Sequence, residues 1–462
     1  MVAMKSPHLL RRSFALSFGL CVLAIPLTAS AQNYIDLPGT QPGGLNNAVP
    51  LDGATPCGVT CHFSRDPMMT VPSMTTTAMP YDGWVGSMMG NATRDPLFLA
   101  ALTVAEQDAP GVGDWCLRCH TPPGFVGGRT RGTPTAARGA MLMPSDREGV
   151  SCDACHRMVA TTNIRNAQYQ FSPTETRFGP YPSSESIRHP SEASAWMADS
   201  RMCGVCHEVS NPLAHQRTAA GMDTGRAFPL DTSYSEWEHS DYGTSGSPDA
   251  RSCQDCHMPR LGMPARVSSN KVAMIRTNPR RHDLVGANSW GSRAMAFLRN
   301  EVASGEFYDP DIVPFYENSA QRAEEMLRTA VRLEIREAPQ QSTPGARVSI
   351  TARLTNLSGH RFPTGYADGR RAWLEVALLD ADNRVTVVSG AYDEAMAHLD
   401  ESSPDLRVYE AFHGRAGMGR GEHIALHDTV VKDTRLPPKG YRPQAGHEPV
   451  GADYAGGANG AL

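Results

Sequence analysis

Five times along this chain, a pair of cysteines a few residues apart is followed at once by histidine. The motifs are Cys57-Gly-Val-Thr-Cys61-His62, Cys116-Leu-Arg-Cys119-His120, Cys152-Asp-Ala-Cys155-His156, Cys203-Gly-Val-Cys206-His207 and Cys253-Gln-Asp-Cys256-His257. They use ten of the eleven cysteines; the other, Cys21, lies in an N-terminal apolar run. Exported CxxC pairs also serve as disulfides or redox dithiols, but neither chemistry needs a histidine beside every pair. Four-cysteine zinc sites would use the pairs two at a time and leave one of five unpartnered. Covalent haem attachment accounts for all three residues. Two thiols on one short turn meet the two vinyl groups of a haem, and the next residue reaches the iron from the same side. The pattern predicts five haem c groups, with His62, His120, His156, His207 and His257 as proximal iron ligands. The first motif, with three intervening residues, is the looser variant.

Such a chain is constrained in how it can fold. Residues 32–300 hold every motif, are rich in Gly, Pro, Ser and Met, and show little long amphipathic periodicity. Five large, flat, apolar groups would give this stretch the centre its own side chains lack. Short helices are expected over Pro96–Gln107, Ala193–Met202, Ser292–Glu301 and Ser319–Arg328, the last with Glu324 and Arg328 spaced i,i+4. Near residue 330 the pattern changes to apolar–polar alternation with many β-branched residues, over Val331–Glu337, Ala346–Leu354 and Ala372–Leu379. Asp380-Ala-Asp-Asn then separates Leu379 from Val385–Val388 as a hairpin turn would. The expected fold class is α+β. A multihaem cytochrome core of short helices and loops packs on stacked haems over 32–300. A helical connector follows at 301–334, then a β-sandwich-like domain at 335–445 and a flexible tail at 446–462.

Residues 1–31 read as a cleaved signal peptide. Lys5, Arg11 and Arg12 precede an apolar run from Phe14 to Leu27, and Ala29-Ser30-Ala31 offers a cleavage site. The run is too short to span a bilayer. Arg11-Arg12-Ser13-Phe14 hints at the twin-arginine route for folded cargo, but haem attachment needs an unfolded chain with free thiols, so ordinary export is expected. Loss of the three leader cations takes the net charge from −5 to −8. That balance offers no basic face for nucleic acid. The mature chain has no candidate transmembrane segment, and a periplasmic or extracellular location is expected.

Several segments resemble a family of multihaem cytochromes related to cytochrome c554. They are Trp84-Val-Gly-Ser-Met-Met-Gly-Asn-Ala-Thr-Arg-Asp-Pro96, Glu148-Gly-Val-Ser-Cys152, Arg281-His282-Asp-Leu-Val-Gly286 and Gly359-His-Arg-Phe-Pro-Thr-Gly365. The resemblance implies an exported electron carrier with closely packed haems. In the family, the Trp-x-x-Ser segment often carries a distal histidine two residues after the serine. This chain has Met89 there, and a thioether ligand would raise the potential of its haem. Met89 is equally a packing residue, since methionine fills irregular gaps well. The resemblance also points to His282 and His360 as distal ligands. His189, fourteen residues before Cys203, is a further candidate, and His215 and His239 are weaker ones. His398, His413, His423, His427 and His447 are expected to be solvated.

Iron with two strong axial ligands passes electrons, whereas iron with an open position binds small molecules. Enough distal candidates exist to favour an electron carrier served by redox partner proteins. One alternative is a haem oxidoreductase acting on a small nitrogen or sulfur compound at one open iron. The first motif is its best site, because Cys57 to Cys119 contains no histidine beyond His62. A subunit of a conductive cytochrome filament is a further alternative, resting on family analogy.

Overall fold

Asp95 and Pro96 start the first long helix, Pro96–Asp108. The Asp95 carboxylate accepts from the Leu97 N–H, and Pro96 occupies a first-turn position that needs no donor. The computed structural model describes residues 37–45, 49–64, 78–132, 139–182, 188–218, 220–269, 275–301, 309–421 and 423–443. The expected signal peptide and C-terminal tail lie outside these residues.

Two further long helices pack on each other. Ser289–Glu301 buries Ser292, Met295, Ala296 and Arg299, and Val313–Ala330 buries Phe315, Tyr316, Ser319, Ala320 and Ala323. Both sets recur at the three-to-four-residue spacing of one helix face. The i,i+4 pair Glu324–Arg328 is present at 3.7 Å, and Arg293 of the neighbouring helix also bonds Glu324. The helix expected over Ala193–Met202 is broken instead. A 3₁₀ turn at Ala195–Ala198 and a short helix at Arg201–Gly204 flank Asp199, whose carboxylate accepts from the Arg201 N–H at 2.9 Å. Such side-chain bonds to nearby backbone compete with the helical ladder.

The helix Val313–Ala330 passes directly into the strand Val331–Glu337, which pairs antiparallel with Thr351–Asn356. Residues 346–350, expected to extend that second strand, lie outside it. The strand expected over 372–379 divides at Glu375. Arg371–Leu374 pairs with Arg407–Arg415, while Val376–Leu379 pairs with Val385–Ser389 across the expected Asp380 turn. Over the stretch expected to form a β-sandwich, the strands therefore pair as hairpins and one four-stranded sheet. Leu333, Ile335, Leu379 and Val385 on the two outer hairpins are exposed. Among the described residues no helix is long and apolar enough to cross a membrane.

Candidate functional site

Each motif sits on a short helical turn, which puts cysteines three residues apart on one face and the histidine beside them. The first motif has one residue more, and its backbone takes the wider π-helical turn at Gly58–His62. The extra residue is thus absorbed without turning Cys61 away. All ten motif cysteines and all five motif histidines border one continuous cavity of about 2670 Å³. Trp84, Phe98, Leu102, Trp115, Tyr169 and Leu230 are among its apolar walls.

The motif histidines are oriented from behind. His62 Nδ1 meets the Val267 carbonyl at 2.7 Å, His120 the Ala92 carbonyl at 2.8 Å, His156 the Phe178 carbonyl at 2.7 Å and His257 the Val285 carbonyl at 2.6 Å. A carbonyl there fixes Nδ1 as the protonated nitrogen and leaves Nε2 with a free lone pair. His207 differs: its Nδ1 faces the Asp231 carboxylate at 3.8 Å. Burial lowers the other four, taking His257 to about 4; burial also works against the charged form of His207, but Asp231 together with the nearby Cys119 and Cys253 raises it.

Two further histidines face motif histidines across the cavity. The His156 and His282 ring centroids are 6.2 Å apart with planes 25° from parallel. Those of His257 and His360 are 6.3 Å apart at 21°. Burial, with His156 beside it, holds His282 down at about 3, and burial likewise lowers His360. Both are therefore neutral near pH 7, the form that binds metal.

The chain holds both loops firmly. Asp283 is nearly fully buried and pairs with Arg281 at 2.9 Å and with Arg322 of the helix Val313–Ala330. At Gly83 a Cβ would lie 2.8 Å from the His282 carbonyl carbon and oxygen, so only glycine permits this approach. The His360 loop is anchored by four buried charges. Arg361 pairs with Asp433 at 2.7 Å, Arg435 bonds Asp433 through two nitrogens, and Arg435 also pairs with Glu236 at 3.1 Å. Glu236 then accepts from the Arg361 N–H at 3.0 Å and the Thr364 hydroxyl at 3.2 Å.

Met89 and His189 also border the cavity. The Met89 carbonyl accepts from the Val150 N–H at 3.1 Å, and Trp84 Nε1 donates to the Val150 carbonyl, which ties this segment to the third motif. His189 is close enough to His62 and His156 to disfavour their protonated forms. Of the distal-ligand candidates, His215 and His239 lie outside the cavity. His215 faces Asp223 on an exposed strand, and His239 closes its helix by meeting the Ser235 carbonyl. Two histidines expected to be solvated, His413 and His427, are buried, with ring centroids 5.7 Å apart.

Thiols of different motifs touch. Cys57 lies against Cys152, Cys119 against Cys206, and Cys203 against Cys253. The Cys203 contact lowers Cys253 to about 7 against the effect of burial, while burial pushes Cys155 up to about 11. Cys155 also lies within electrostatic reach of Cys203 and Cys206. The first motif thus adjoins the third, and the fourth adjoins the second, third and fifth. Asp231, Glu236, Asp433 and Arg435 carry no local sequence signal, because their partners are distant in the chain. No protein-family model, curated protein or solved structure matches this chain.

Proposed function

We propose that this chain is a multihaem c-type cytochrome that binds five haem c groups and relays electrons among them. The observation that carries the reading is the single cavity bordered by all fifteen motif residues, with neighbouring motifs in contact. Its 2670 Å³ is several times the roughly 300–1,000 Å³ of an ordinary ligand site. Trp84, Phe98, Leu102 and Trp115 on its walls leave apolar surface that large apolar groups held by the thiols would cover.

The residues fit haem. Each cysteine pair would hold one group covalently, and the neighbouring histidine would offer Nε2 to the iron. Metal–imidazole bonds of about 2.0–2.1 Å on opposite sides of one ion put ring centroids roughly 6 Å apart. The His156–His282 and His257–His360 pairs have that spacing. His282 and His360 would therefore be the distal ligands at the third and fifth motifs. Two imidazoles leave no position for a substrate, which favours electron transfer there. Haem, when bound, supplies a one-electron iron couple, and contact between motifs gives each couple a close neighbour. The resemblance of Trp84–Pro96 and Gly359–Gly365 to cytochromes related to c554 points the same way, as does the leader read in residues 1–31.

The test is the EPR spectrum of the oxidised, haem-loaded protein. Low-spin signals alone are expected. A high-spin signal would replace the carrier with an oxidoreductase acting on a small nitrogen or sulfur compound.

A further inference from the structure

The fourth motif stands apart from the other four in two independent ways. It is the junction of the array, since Cys206 touches Cys119 of the second motif and Cys203 touches Cys253 of the fifth. Cys155 of the third motif lies close to both. Its histidine is also unlike the rest. Four motif histidines face neutral backbone carbonyls, whereas His207 faces a carboxylate. That carboxylate is held in place: Asp231 Oδ1 accepts from the Ser233 N–H at 2.9 Å and the Ser233 hydroxyl at 2.7 Å, while Oδ2 points at His207 Nδ1. The helix Ser233–Glu238 begins there, so Asp231 is fixed by the start of a regular element.

We infer that Asp231 sets the reduction potential at the fourth motif and makes the junction of the relay its lowest-potential point, the site hardest to reduce. This deepens the proposed function and rests on it. The physical reason is charge. The oxidised iron carries one more positive charge than the reduced iron, and taking up one electron removes it. A fixed anion behind the proximal imidazole makes that ligand more basic and favours the more positive state. Arg370 borders the same cavity and interacts with Asp231, so its charge works in the opposite direction. Arg370 is not aimed at His207 by an ion pair, and Asp231 is. An electron crossing between any two arms of the array then meets a step at the junction. The step is uphill on entry to the fourth motif and downhill on exit to each neighbour, so it slows crossing between arms in both directions.

The experiment is a redox titration of the holoprotein followed by NMR, with the fourth haem assigned through contacts to the β-protons of Cys203 and Cys206. Asp231→Asn removes the charge and keeps the shape. The fourth haem's reduced-to-oxidised ratio at fixed potential should rise at least tenfold, about 59 mV for a one-electron couple, with smaller shifts elsewhere. Asp231→Glu should restore most of the difference. If Asp231→Asn does not load five haems, Ser233→Ala keeps the charge, loosens its anchor and should shift the same haem in the same direction by less. A variant that carries five haems with the fourth potential unmoved, or with another haem moved most, overturns the inference. A wild-type protein without covalent haem would instead overturn the proposed function, so the two failures are told apart by the haem count.

Discussion

Around the motifs, buried apolar side chains gather in several small clusters that stop at the edge of a 2670 Å³ cavity. Around Asp433, in the strands after residue 331, charged side chains close directly on one another. Glu236, Arg361, Asp433 and Arg435 are each less than a tenth exposed, and their two positive and two negative charges balance. Against burial, which raises it, Arg435 and Arg361 hold the Asp433 carboxyl down at about 2. On the proposed reading, the first region is completed by haem groups that the polypeptide does not itself supply. The second pairs its buried charges with one another, and through Arg361 it delivers His360 to the first. On that reading, the interior of this chain is completed in two ways, joined at one loop.

The largest effect should come from removing an attachment point. Cys152→Ala together with Cys155→Ala should abolish haem at the third motif and cost stability on the order of a domain's whole 5–15 kcal/mol. Limited proteolysis should then cut within residues 37–300 before residues 331–443. Equal resistance in both regions would break the comparison.

Next is the charge network. Asp433→Ala leaves two buried arginines with one carboxylate fewer, and breaking such a pair costs about 3–5 kcal/mol. Thermal unfolding should show that loss, and the low-spin EPR signal belonging to His257 and His360 should change with it. Asp433→Asn should cost less. An unchanged melting point in Asp433→Ala would show that the network does not hold the loop.

Smaller and more local, His282→Ala and His360→Ala should each convert one low-spin EPR signal to high-spin while the other signals stay. If neither changes a signal, the facing rings are not ligands. Smallest is Met89→His, which should lower one potential in a redox titration and leave the others nearly unmoved. No shift at any haem removes Met89 from the ligand set.

The grouping of motif residues was legible because their spacing is a local pattern, as in Cys253-Gln-Asp-Cys256-His257, whose two cysteines and histidine all border the cavity. The start of the helix at Pro96 was legible for a similar reason, since Asp95 caps a backbone donor two residues away. The strand Val331–Glu337 followed from its alternation. Contacts between distant segments were not legible. Nothing near Asp231 in sequence announces His207, and nothing near Glu236 announces Arg435. The broken helix around Asp199 was misread because one side-chain bond outweighed a modest propensity. His413 and His427 read as solvated because a lone histidine carries no sign of its burial, which arises from Phe228 and Tyr366 packing around them.

The central claim is that the five motifs border one space because five haems fill it. The most direct test is the intact mass of the purified protein, read beside its haem content from a pyridine haemochrome assay. Five covalently bound haems per chain are predicted, with all ten motif cysteines resistant to thiol-alkylating reagents after denaturation. A folded protein with no covalent haem, or with those cysteines joined in disulfides, would contradict the account.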